Sequence, residues 1–250
     1  MSSRARSAVA SIAFAALATS ACTPARESYA QYGGQLAQDA GIAANRYNAF
    51  NCLTCHAEHA SDVGARIYPG AVLEGASARP SWWGGNVLDL HTAVEDCYMH
   101  FMGGPRLDPN GEPAQALDAY LLSLSSDASS TGTQAVPFTV PPSIADIAPG
   151  DATRGSDLYT HACSTCHGTK HSGTGRLGLA SIVPDDTFTA HLMQYGPACT
   201  REIFVEKIRH GSFLGYPGTM PPFSEQVLSD AQIADILAYL EVPAGGTCTP

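Results

Sequence analysis

"NCLTCH", residues 51–56, and "CSTCH", residues 163–167, decide how the rest of the chain is read. Each places two cysteines three positions apart with a histidine directly after the second: Cys52, Cys55 and His56, then Cys163, Cys166 and His167. A helical turn puts such a pair of thiols on one side of the backbone, and the histidine follows at once. Structural zinc would draw two such pairs round one ion. Here 111 positions separate them and each has its own histidine. A redox disulfide of this spacing is reasonable once in an exported protein, but not twice with histidine following. The pattern that remains is C-x-x-C-H, in which both thiols bond covalently to one haem and the histidine binds its iron. The sequence therefore predicts two c-type haems, attached at Cys52 and Cys55 and at Cys163 and Cys166, with His56 and His167 as proximal ligands.

The surroundings of the motifs repeat, and the repeat sets the domains. A short helical pattern after a glycine precedes each motif: Gly41–Phe50 in the first half, Gly155–Tyr159 in the second. An amphipathic helix ending in Ala-Tyr-Leu closes each half. The first starts near Pro113 and carries Leu117, Leu121 and Leu124 on one face. The second starts after Ser229 or Asp230 and turns Ile233, Ile236, Leu237 and Leu240 inward. Between the halves, residues 125–150 are rich in Ser, Thr and Pro and read as an extended linker over the surface. The expected organisation is a leader at 1–21, a first domain at 30–124, the linker, a second domain at 151–243 and a tail at 244–250.

The leader "MSSRARSAVASIAFAALATSAC" has Arg4 and Arg6, then an apolar run, then small residues. It is a secretory signal segment, too short to span a bilayer. Cys22 follows Thr19-Ser20-Ala21, which resembles a bacterial lipoprotein processing box with Thr19 in place of the usual Leu. Either a lipid anchor at Cys22 or simple cleavage nearby yields an exported, periplasmic or otherwise extracytoplasmic protein. Net charge is −10, and −12 once Arg4 and Arg6 are removed. Nucleic acid is thereby excluded as a partner, because its binding needs clustered cations. Solubility accounts for the acidity, and a basic redox protein is the sharper alternative.

Cys199 and Cys248 have no motif to serve, and in an oxidising compartment such a pair becomes a disulfide. "GTGRLG", residues 173–178, matches a dinucleotide fingerprint but follows a haem motif rather than a strand, so it is not one. In "DLHTAVEDCYMHFMGG", residues 89–104, Cys97, Met99, His100 and Met102 all present metal-binding side chains. If residues 87–102 are helical, Leu90, Val94, Cys97 and Phe101 share an apolar face, whereas Met99 falls with Thr92, Glu95 and Met102 on a more polar one. Counting also leaves Cys97 without a partner. Phase and counting favour Cys97 as a distal ligand of the first haem, with Met102 and Met99 as rivals.

A short helix, C-x-x-C-H, an irregular middle and a closing helix resemble the cytochrome c fold, present twice between residues 35 and 243. The resemblance implies an all-α protein of two tandem cytochrome c-like domains joined by the linker. It also implies that Met220, in the proline-rich "GYPGTMPPF" (215–223), binds the second iron opposite His167. Met/His ligation raises a haem potential, so the second haem should be the electron exit. Val94-Glu95-Asp96-Cys97 with Met102-Gly103-Gly104 resembles the N-terminal domain of thiosulfate dehydrogenase and the cytochrome SoxA. That likeness implies Cys97 as distal ligand at a haem where sulfur compounds react. The chain departs from those families in lacking their Arg-Ser-x-Asn-Gly run and in carrying Trp82 and Trp83, which read as a haem lid or core.

Two functions follow. One is a relay passing electrons from the first haem to the second and on to an exported redox protein. The other is an oxidoreductase acting on a small sulfur anion at the first haem, with Cys97 as catalytic ligand and Arg66, Arg79 and Arg106 as cations for the substrate. A peroxidase would need a positioned base, and nothing in the sequence positions His59 or His91.

Overall fold

The computed structural model describes residues 28–125, 134–141, 147–211, 218–244 and 248. The expected leader, Cys22, Pro217 and parts of the linker and tail lie outside them. The described residues are helical, with a lone antiparallel bridge between Trp82 and Val87. None of the described helices is long and apolar enough to cross a membrane.

Each half is built as a ring whose first and last helices cross. In the first half, α1 (Tyr29–Gln38) lies against α4 (Glu112–Ser123), and between them come the motif helix α2 (Cys52–Cys55) and α3 (Leu90–His100). In the second, α5 (Ala152–Ala162) lies against α8 (Asp230–Tyr239), enclosing the motif helix α6 (Ser164–His167) and the long α7 (Asp185–His210), which breaks at Gly196-Pro197. Both crossings are made at a glycine. A Cβ on Gly33 would stand 2.0 Å from the Ala116 carbonyl oxygen, and one on Gly155 would stand 1.8 Å from that of Asp235. No side chain fits at either place.

Each half has its own core. Leu36, Leu73, Tyr98, Leu117, Tyr120 and Leu121 form the first. Tyr159, Phe204, Leu228, Ile233, Ile236 and Leu237 anchor the second. The closing helices thus bury the expected faces: Leu117 and Leu121 with Leu124 packed beside them, and Ile233, Ile236, Leu237 and Leu240. Ser229 caps α8 by accepting from Gln232 N–H, with the Gln232 side chain answering to the Ser229 N–H.

The helix before the first motif differs from expectation. Gly41–Phe50 holds only a 3₁₀ turn, Ala40–Ala43, and the packing helix is α1, upstream of it. Ser28 starts that helix through a capping box with Gln31. Asp39 ends it by turning its carboxylate onto the Gly41 N–H at 2.7 Å. The linker also does more than cover the surface. Phe138 meets Trp83 edge to face at 5.3 Å, and the Thr139 N–H donates to Gln226 of the second half at 2.8 Å. The Cys199–Cys248 disulfide is present, tying the tail to α7.

Gly155→Ala should lower the stability of the second half by about 3 kcal/mol or more, since the new methyl meets backbone that cannot yield locally. A thermal melt checks this, and an unchanged midpoint would mean the helices slide apart freely.

Candidate haem sites

The first motif lies in a helical turn held by its neighbours. Asn51 caps α2 on the Thr54 N–H, and the Thr54 hydroxyl accepts from the Asn51 N–H in return. Cys52, Cys55 and His56 then line a cavity of about 410 Å³ with predominantly apolar walls. The His56 Nδ1 donates to the Ala71 carbonyl at 2.6 Å, which leaves the Nε2 lone pair available to a metal. Gly70 makes room for this ring, since a Cβ there would stand 2.2 Å from His56 Cε1. Burial pushes the imidazole toward its neutral form; the Ala71 hydrogen bond opposes this and the Arg79 charge adds to it. Burial likewise raises the free thiols, Cys52 to about 11 and Cys55 to about 12.

The second site repeats this design. Cys163, Cys166 and His167 line a cavity of about 430 Å³. The His167 Nδ1 donates to the Ser181 carbonyl at 2.8 Å, again freeing Nε2. Burial lowers the His167 basicity and raises Cys163 to about 12. The Tyr159 hydroxyl fixes the exit of the motif by donating to the Gly168 carbonyl at 2.8 Å. Met220 lines this cavity too, on the loop that runs into Pro221 and Pro222.

Across the first cavity, α3 presents Leu90, Val94, Cys97 and Phe101 to the lining. Burial raises the Cys97 thiol, and the nearby Cys55, Cys52 and Asp96 raise it further. Met99 packs beside the first core and lines neither cavity, and His100 is exposed. Met102 is buried in the core and lines both cavities. Glu95, on the more polar face, does not face solvent. It is buried and accepts from the Leu107 N–H at 3.0 Å, pinning the loop after α3.

The three arginines do not converge on one pocket. Arg79 lines the first cavity and donates to the Val72 carbonyl at 2.5 Å. Arg66 lines the second. Arg106 lines neither; its side chain is 82% exposed and pairs with Glu95 at 3.4 Å. The first site therefore has one of the three expected cations. His59 and His91 line neither cavity and pair with Glu74 and the Leu107 carbonyl.

The residues present fit a c-type haem in each cavity. Both offer two thiols, a histidine with a free Nε2 and an apolar enclosure, and each adds a sulfur-bearing side chain, Cys97 or Met220. In the first, Arg79 Nε and Trp82 Nε1 are buried without a hydrogen-bond partner among the described residues. Donors of that kind suit the carboxylates of a haem. Sequence reasoning missed one part of this wall: Val136, Pro137 and Phe138 of the linker, with Pro222 and Val227 of the second half, also line the first cavity. Only the apolar cluster Val136-Pro137-Phe138 inside a polar linker signalled it.

Phe50, Cys55, Pro69, Met102 and Pro221 line both cavities, so a wall one side chain thick separates them.

Comparison with known proteins bears on the second half most directly. Residues 150–240 match the family described as cytochrome c oxidase, cbb3-type, subunit III. Over 104 residues the chain is 34% identical to the cytochrome bc1 complex cytochrome c subunit of Corynebacterium diphtheriae, covering 40% of this chain and 31% of that protein's length. Among solved structures, thiosulfate dehydrogenase from Marichromatium purpuratum is similar at 18% identity and a TM-score of 0.41, over 85% of this chain and 45% of that one. The matched family implies covalently bound c-type haem with its iron, and the second C-x-x-C-H motif lies inside the matched residues. The chain resembles c-type cytochromes and is all-α in fold, and the matched family model lies in its second half.

Proposed function

We propose that the chain is an exported diheme cytochrome c that moves electrons from a first haem to a second and on to an external redox protein. The observation that carries this reading is the shared wall: two C-x-x-C-H cavities lie back to back with single side chains between them. Bound haem supplies one-electron chemistry at its iron. The chain's own residues do the rest. Cys52 and Cys55, and Cys163 and Cys166, hold the two groups covalently, and His56 and His167 are kept in the iron-binding tautomer by the Ala71 and Ser181 carbonyls. Cys97 would be the distal ligand of a haem held in the first site, with Met102 the rival that also lines it, and Met220 would be that of the second. Thiolate on one side and thioether on the other orders the two potentials, low then high. Export rests on the leader at residues 1–21, with Cys22 as the place of a lipid anchor if one is made.

The test is haem content. The purified protein should carry two haems per chain by pyridine haemochrome assay against protein concentration, with thiolate and thioether signatures both present in the electron paramagnetic resonance spectrum. A ratio of one sinks the diheme reading.

Sulfur-compound oxidation is the second reading, and one observation favours it: Cys97 and Arg79 line the same cavity. The reaction balances on this frame, since two thiosulfate ions joining through a new S–S bond to give tetrathionate release two electrons, one for each haem.

A further inference from the structure

Arg66 stands at the junction of the halves. The N–H of the next residue, Ile67, donates to the His161 carbonyl of the second half at 2.9 Å. The Arg66 Nη2 donates to the Thr54 carbonyl, inside the first haem motif. Its guanidinium stacks on Tyr68 at 4.3 Å, which fixes its orientation. The side chain itself lines the second cavity. The described ion pairs engage Arg106, Arg154, Arg176 and Arg209, and none engages Arg66.

We propose that Arg66 is a shared electrostatic control of both haem sites: one fixed guanidinium, lining the second cavity and bonded to the first motif, that raises the midpoint potential of each. The inference rests on the two-haem reading. Gaining an electron lowers the charge of a haem site by one, so a nearby cation stabilises the reduced form. Inside the protein that attraction is far less damped than in water, and it acts on both sides of a thin wall at once. A cation on the open surface acts only weakly, because water and salt screen it. Arginine suits the place because it stays charged when partly buried, and its fork bonds to Thr54 while its face rests on Tyr68.

Optical redox titration of the holoprotein tests this, with Arg66→Gln, Arg66→Lys and Arg106→Gln compared with the parent. Glutamine keeps a donor for the Thr54 carbonyl but removes the charge; lysine keeps the charge but loses the fork. Arg66→Gln should lower both midpoints, Arg66→Lys should lower both by less, and Arg106→Gln should move neither. If one midpoint alone moves, or if lysine falls as far as glutamine, Arg66 is a packing clamp and the proposal is wrong. Should Arg66→Gln lose haem, Arg66→Ala takes its place: midpoints that fall together, and further than in Arg66→Lys, support the shared control, and a fall at one site only overturns it. One haem per parent chain would overturn the two-haem reading itself, and the stoichiometry shows that before any potential is measured.

Discussion

Replacing Cys52 and Cys55 together with alanine should leave a protein with one haem per chain and a first half that no longer unfolds cooperatively. The first cavity measures about 410 Å³ and its lining is chiefly apolar. At about 24 cal/mol per Å³ for unfilled core, leaving it empty costs roughly 10 kcal/mol. Folded domains are stable by only ~5–15 kcal/mol, so the first half has little or nothing left. Collapse of the walls recovers part of that cost, at the expense of the geometry around His56 and Cys97. Circular dichroism and calorimetry of the double variant should show one melting transition where the parent shows the sum of two halves, with haem absorbance halved. The matching change at Cys163 and Cys166 should remove the other transition. A double variant that melts like the parent would mean that the first half folds without its haem.

The second large effect is at Cys97. Cys97→Met should raise the potential of one haem by on the order of a few hundred mV, within the ~0.8 V that axial ligands span, and leave the other within a small shift. A thiolate stabilises ferric iron by its charge and donor strength, whereas a thioether favours the ferrous state. The helix presents residue 97 to the cavity on the same face as Leu90, Val94 and Phe101, so methionine at that position still points inward. The thiolate signature in the electron paramagnetic resonance spectrum should vanish in the same variant. If both haems keep their spectra and potentials, Met102 is the ligand instead. Thiosulfate added to the parent discriminates the two functional readings: reduction that disappears with Cys97 supports the oxidoreductase, and no reduction by thiosulfate, sulfite or sulfide leaves the relay.

What the sequence revealed of this molecule was whatever covalent chemistry or a strict period had written locally. The C-x-x-C-H motifs needed no folding to be read. The faces of α4 and α8 followed from their 3.6-residue spacing, and so did the side of α3 that carries Cys97. The Cys199–Cys248 bond came from counting alone. Helix α1 was missed because "YAQYGGQLAQ" buries only Gly33, Leu36 and Ala37, too few apolar side chains to make a periodic face. In the folded chain Gly33 is the contact surface itself. That Glu95, on the more polar face of α3, is buried was not legible, because its partner, the Leu107 N–H, comes from a loop 12 positions away. The division of Arg66 from Arg79 depends on where the halves meet, which no local pattern encodes.

The ring built into each half also orders events in time. Gly33 waits for Ala116, and Gly155 waits for Asp235, before either ring can close. Contacts so distant along the chain form late, because the intervening loop must first give up its freedom. In each half the two thiols therefore emerge long before the closing helix that will seal them in. Under the proposed export, with the amino end threaded out first, Cys52 and Cys55 become reachable while the second half is still inside. The first site could then be loaded early, but its lining is complete only when Pro221, Pro222 and Val227 arrive just ahead of α8.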